Sequence, residues 1–241
     1  MQFYRAFKRP IAIGFDLDDT LYDNLPVLIA AEDALHQFMM SQFPNTASLS
    51  IQDWTNFRLA LVAKNPALGH DVTEARRQSI YAGLAMCGYD EKTCQQGSQQ
   101  ALEHFLLWRN KIVIPPSVHQ LLNNLSQQFT LFVISNGNAD IKQLGLSTYF
   151  SFSLAPSIDT PMKPAPNLFQ QAEKLLGLSG SDILYVGDHP VSDIVGSGKM
   201  GWQNAWLNAK NIPLDHYKKP LSLPTFEIAE ITHLTELLNH H

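Results

Sequence analysis

Two rhythms of apolar and polar residues divide this 241-residue chain. Three stretches, IAIGFDLD (11–18), TLFVISN (130–136) and DILYVGD (182–188), are nearly continuous apolar runs ending in polar residues and turn formers. Such runs predict parallel strands buried on both faces, with carboxyl ends that open on a polar site. QNAWLN (203–208) and TFEIAEI (225–231) predict two weaker strands. Helical periodicity fills the gaps. PSVHQLLNNLSQQ sets Val118, Leu121, Leu122 and Leu125 on one face, and PNLFQQAEKLLGL sets Leu168, Phe169, Ala172, Leu175 and Leu176 on another, with Gly177 as a stop. Strands alternating with helices predict a doubly wound, mostly parallel α/β sheet whose ligands bind beyond the strand ends.

The segment 24–112 has a different rhythm. It shows no strand and four helical stretches, at 25–43, 51–64, 71–87 and 91–110. Leu28, Ala31, Leu35, Phe38 and Met39 share a face of the first, Ser50 with Asp53 caps the second, and Gly88 ends the third. A parallel crossover needs about a dozen residues, yet 119 positions separate Asp16 from Ser135. The pattern predicts a core formed by 1–23 and 113–241, with a helical bundle at 24–112 inserted after the first strand. IPPS (114–117) is the expected return linker, and a loop around 209–224 carries Pro213, Pro220 and Pro224.

Composition narrows the function. Hydrophobic residues at 45% and charged residues at 16% fit a globular chain. A net charge of −5 with no dense basic run gives no nucleic-acid surface. An acidic chain also repels phosphate, so a phosphate site here needs local positive charge or a metal. Cys87 and Cys94 make no disulfide framework and read as ordinary thiols of a reducing compartment. MQFYRAFKRP lacks a signal-peptide core and no segment suits a membrane span, so the expectation is a cytoplasmic monomer or small homo-oligomer. The final His240–His241 pair is native or a cloning remnant.

The chemistry gathers at the strand ends. In DLDDT, Asp16 and Asp18 point the same way by period-two alternation, and paired carboxylates repel unless a cation or proton sits between them. Solvated turn acids are the plainer reading. Ser135 opens SNGN, where a hydroxyl and the N–H groups around Asn136-Gly137 can cradle a phosphate or simply form a turn. Lys163 sits among Pro161, Pro164 and Pro166, with Pro164 placed to open the next helix; it is either a fixed positive charge or a surface lysine. Asp188 and Asp193, in GDHPVSD, offer hard oxygen ligands suited to Mg²⁺, or Asp193 caps a helix. Acids, hydroxyl, lysine and acids occupy successive strand ends in order, which argues for one site.

Taken together, DLDDT (16–20), SNG (135–137), Lys163 in KPAPNLF and GDHPVSD (187–193) resemble the signature regions of the haloacid dehalogenase-like hydrolase superfamily, in its phosphatase branch. The resemblance implies a Rossmann-like core with a small helical cap and a Mg²⁺ cofactor. It implies Asp16 as nucleophile and metal ligand, and Asp18 as general acid/base with its carbonyl on the metal. It also implies Ser135, Asn136 and Lys163 on the phosphoryl group, Asp188 on Mg²⁺, and Asp193 on it directly or through water. Dehalogenases resemble this motif but lack the second acid, so Asp18 favours a phosphatase. His189, Pro190 and Ala165 depart from the usual pattern beside these motifs.

FDLDDTLYDN, HDVTEARRQSI (70–80) and ISNGNAD taken together are similar to bacterial flavin mononucleotide (FMN) phosphatases. Relatives of those enzymes dephosphorylate 5-amino-6-(5-phospho-D-ribitylamino)uracil in riboflavin synthesis. The resemblance makes Tyr22, Asn24 and Arg76 candidate substrate contacts, although each also suits a structural role. Alternatives are a sugar-phosphate or nucleotide phosphatase, a phosphomutase of the same superfamily, a response-regulator receiver, and a non-catalytic binding protein. A receiver would not place its phospho-acceptor on the first strand or carry so large a helical insert.

Overall fold

The structure, a computed structural model, describes residues 1–213 and 222–235; Pro220 and the terminal His240–His241 pair lie outside the described residues. Its centre is a seven-stranded sheet. The strands are β1 (Gln2–Phe3), β2 (Ala12–Phe15), β3 (Thr130–Ile134), β4 (Phe152–Leu154), β5 (Ile183–Gly187), β6 (Gln203–Leu207) and β7 (Phe226–Ile228), in the order β1-β7-β6-β5-β2-β3-β4. All neighbours are parallel except β1 with β7. From β2 the chain winds one way to β3 and β4 and then the other way to β5, β6 and β7, so the β2 end is the topological switch point where such sheets bind ligands.

Why these runs are continuously apolar is plain from the two faces. Ile13, Phe15, Leu131, Val133, Leu184 and Val186 pack into one core with Val118, Leu121, Leu122 and Leu125 of α5 (Pro116–Ser126). The alternate residues Ala12, Phe132, Ile134, Ile183 and Tyr185 pack into a second core with Leu168, Phe169 and Ala172 of α6 (Asn167–Leu176) and with Trp202. Gly14 allows the second packing: a Cβ there would lie 2.5 Å from the Phe132 ring and 2.7 Å from Tyr185.

The four helices of the insert are α1 (Leu25–Gln42), α2 (Ile51–Lys64), α3 (Val72–Met86) and α4 (Glu91–Arg109). They enclose their own core of Ala31, Leu35, Met39, Trp54, Ile80, Leu84, Ala101 and Phe105. Ser50 and Asp53 form a reciprocal capping box on α2, and Gly177 ends α6 in the left-handed region at φ 65°. No helix among the described residues is long and apolar enough to cross a membrane.

Three local expectations are corrected. Pro164 does not open α6; the Ala165 N–H closes a turn on the Met162 carbonyl, and the helix begins only after Pro166. IPPS is not wholly linker, because Pro116 takes the first-turn position of α5, where its missing N–H costs nothing. The helix expected after Asp188 starts as a π-helical turn over Pro190–Val195, followed by the short α7 (Gly196–Lys199). The strands β1 and β4 were too short to leave a periodic signal.

Candidate active site

The parallel register sets the ends of β3 and β5 on either side of the β2 end: Phe15 pairs with Val133 and with Val186. Asp16 follows, its N–H donating to the Val186 carbonyl at 2.9 Å. Asp19 turns the chain away with a φ of 59°.

Lys163 is the hub. It is fully buried, and its Nζ lies 2.8 Å from Asp16 Oδ1, 2.7 Å from Asp193 Oδ1, 2.8 Å from the Tyr185 hydroxyl and 2.7 Å from the Ile134 carbonyl. An ammonium has three protons for these four oxygens. The Ile134 carbonyl already accepts the Tyr185 hydroxyl at 2.6 Å, so the three protons suffice. Burial works against the lysine charge, but Asp16 and Asp193 outweigh it and hold its pKa well above the usual range. The surface-lysine reading is excluded.

Asp16, Asp188 and Asp193 bring one oxygen each to within 4.8 Å of one another. Burial, only partly offset by Lys163 and reinforced by Asp193 and Asp188, pushes the Asp16 carboxyl up to about 8. Burial and the charges of Asp193 and Asp19 push Asp188 up to about 7. Three acids facing one ammonium leave excess negative charge, and an all-carboxylate donor set is the hard-oxygen kind that suits a small divalent cation. Asp193 is held in place by the His189 N–H, 2.9 Å from its second oxygen. Gly187 leaves room for it, since a Cβ there would fall 2.4 Å from Asp193. His189 also caps the π-helical turn by accepting from the N–H groups of Val191 and Ser192, which gives this departure from the common motif a local task.

On the opposite side, Ser135 Oγ accepts from the Gly137 N–H at 3.1 Å, leaving its own proton to donate. Asp18 Oδ1 accepts from Tyr22 Oη and from Arg109 Nη2, each at 2.5 Å. Asp18 Oδ2 lies against Gly137, where a Cβ would come within 2.2 Å.

The family described as haloacid dehalogenase-like hydrolase matches residues 12–201. This chain belongs to that family. It is 33% identical over 238 residues to 5-amino-6-(5-phospho-D-ribitylamino)uracil phosphatase YigB of Escherichia coli, covering 99% of this chain and 100% of that one. It is 26% identical to human N-acylneuraminate-9-phosphatase, covering 97% of this chain and 95% of that one. Among solved structures, a 2-haloacid dehalogenase from Pseudomonas syringae superposes with a TM-score of 0.89 at 33% identity, covering 96% of this chain and 99% of that one. The chain is a hydrolase of the phosphatase branch.

Within this hydrolase the expected residues have different fates. Asp16, Asp188, Asp193 and Lys163 meet in one cluster, with Ser135 at the adjoining strand end. The Asn136 carboxamide is engaged with the lysine loop: its Nδ2 donates to the Lys163 carbonyl at 3.0 Å and its Oδ1 accepts the Lys163 N–H at 2.8 Å, so a phosphate contact at this position would come from the backbone N–H. Arg76 is engaged inside the helical insert. Both its Nη atoms bond Glu32, at 2.9 and 2.7 Å, and its guanidinium lies 3.6 Å over the Phe105 ring inside the helical core. Tyr22 serves Asp18, and the Asn24 N–H donates to Asp19 Oδ1 at 2.9 Å.

Two residues were missed. Tyr185 hid inside an apolar run. Arg109 had a readable signal: Leu102, Phe105 and Arg109 follow the i, i+3, i+7 spacing of a buried helix stripe, and a charge on such a stripe needs a partner.

Proposed function

We propose that this hydrolase cleaves phosphomonoesters of small metabolites through a phosphorylated Asp16, with Mg²⁺ as cofactor. The observation that carries this reading is the buried contact of Lys163 with both Asp16 and Asp193. Asp16, Asp188, Asp193 and the Asp18 carbonyl would hold Mg²⁺, which offsets the surplus negative charge and draws charge off the phosphoryl oxygens. Asp16 must be ionised to attack. With Lys163 as its only close cation among the described residues its carboxyl sits near 8, which supports a divalent requirement at neutral pH.

Lys163 orients the Asp16 carboxylate, and Ser135 donates to a phosphoryl oxygen. Asp16 forms a bond to phosphorus as the ester P–O bond breaks, and Asp18 gives its proton to the departing alkoxide. Asp18 then takes a proton from the water that attacks the aspartyl phosphate, restoring Asp16 and releasing inorganic phosphate. A dehalogenase would leave Asp18 without this task.

For substrate, the full-length likeness to the ribitylaminouracil-phosphate phosphatase supports a ribityl phosphate. A cavity of about 230 Å³ lies between His70–Thr73 and Asn136–Asp140. It opens beside the loop that follows Ser135, where the organic part of a phosphomonoester would extend. Free Cys87 and Cys94 suit a cytoplasmic setting. Phosphate release should be screened across ribitylaminouracil phosphate, FMN, nucleotides and sugar phosphates. Preference for a ribityl phosphate, lost in Asp16→Asn and on EDTA treatment, supports the reading; full activity of Asp16→Asn overturns it.

A further inference from the structure

We propose that Arg109, aided by Tyr22, is the positioning residue that aims the proton-bearing oxygen of Asp18 at the leaving group. The proposal rests on the acid/base role given to Asp18 above.

Arg109 is the last residue of α4, where the inserted helices return to the core, and its side chain is 2% exposed. It lies 91 positions from Asp18 in sequence, yet its Nη2 bonds Asp18 Oδ1 at 2.5 Å. The Tyr22 hydroxyl donates to the same oxygen at 2.5 Å. Two donors on Oδ1 fix the carboxyl plane, and the other oxygen, Oδ2, is then set against Gly137 beside Ser135. One oxygen is clamped and the other faces the phosphate cradle. A carboxyl that shuttles a proton needs this division, because a free rotor presents the reactive oxygen only part of the time. Arg109 itself is tied to the core from both sides. Its neighbour Asn110 accepts the Asp140 N–H at 2.8 Å, so the α4 end is anchored to the loop after β3 as well as to Asp18.

The test compares leaving groups. p-Nitrophenolate departs without a proton, whereas an alkoxide needs one. The probes are p-nitrophenyl phosphate and whichever of ribose 5-phosphate and FMN the wild type hydrolyses faster. Hydrolysis of the aspartyl phosphate is common to both probes and enters kcat, so the comparison is made in kcat/KM, which reports only the steps up to departure of the leaving group. Arg109→Met is expected to lower it on the alkyl phosphate by about 10- to 100-fold, part of a general acid's contribution of about 10²–10⁴-fold, and on p-nitrophenyl phosphate by about threefold or less. Asp18→Asn should show the same selectivity in kcat/KM while lowering kcat on both probes, and adding Arg109→Met to it should cost nothing more on the alkyl phosphate. Tyr22→Phe removes only a hydroxyl and should show the pattern in weaker form, which keeps the test decisive if Arg109→Met misfolds; Arg109→Lys should recover part of the loss. Equal losses of kcat/KM on both probes would overturn the positioning role. If Asp18→Asn itself spared the alkyl phosphate, the acid/base assignment would fall first. If only the Arg109 and Tyr22 variants spared it, Asp18 would stand and this inference alone would fall.

Discussion

Asn136 and Lys163 hold each other by a reciprocal pair of hydrogen bonds, the carboxamide of one closing on both backbone groups of the other. This pair fastens a proline-stiffened loop to the end of β3 and so fixes where the buried ammonium emerges. Asn136→Ala should therefore act through Lys163. Two lost bonds at about 0.5–1.5 kcal/mol each predict a clear drop in stability and a kcat lowered by about tenfold. Urea unfolding and steady-state kinetics measure both, and wild-type values in the two would contradict the linkage.

Gly137 and Asp18 Oδ2 come too close for any side chain at 137. Gly137→Ala should push the Asp18 carboxyl aside while leaving the sheet intact. Misplacement by about 1 Å can cost about 100-fold in rate, and a loss of that order on an alkyl phosphate is expected, with an unchanged circular dichroism spectrum. Retained activity would show that Asp18 works from another position.

Tyr185 gives a contrasting prediction of mildness. Four oxygens surround the three protons of Lys163, and Tyr185→Phe removes one of them while leaving the Ile134 carbonyl for the freed proton. Stability should fall by about 1 kcal/mol and kcat by about threefold at most. A loss near that of Asp16→Asn would mean that the phenol has a direct part in the reaction.

The pH dependence follows from the acids. Asp16 at about 8 and Asp188 at about 7 both stand above their ordinary 3.8, so the folded protein binds these protons more tightly than the unfolded chain. Their contribution to stability is full below the ordinary value and is lost as pH rises through 7 to 8. Protein treated with EDTA should therefore show a Tm that falls from about pH 4 to about pH 8 and levels off above that. Mg²⁺ should raise the Tm most at the alkaline end, and Asp188→Asn should flatten the slope while abolishing activity. A Tm indifferent to Mg²⁺ throughout would remove the metal site.

Much of the molecule was legible because its signals are local. Buried parallel strands leave continuous apolar runs, and α6 announces both its face and its Gly177 stop. The order of Asp16, Ser135, Lys163 and Asp188 along the chain was enough to predict their convergence, since a doubly wound sheet collects successive strand ends. What the chain did not disclose depends on partners distant in sequence. Asn136 looked like half of a turn until Lys163, 27 positions on, came beside it. Arg76 looked available until Glu32 and Phe105 enclosed it. Arg109 stood on a readable apolar stripe, but nothing local tied it to a carboxylate 91 positions earlier.

The helical insert is fastened at its two ends to adjacent residues of a single turn, Asn24 to Asp19 and Arg109 to Asp18. An excursion of such length thus leaves and rejoins the sheet at nearly one point. Evolution can exchange what lies between these moorings, reshaping the wall around the departing metabolite, without disturbing the carboxylates beneath. A chimaera joined at those two points should inherit its donor's substrate preference and keep its host's chemistry.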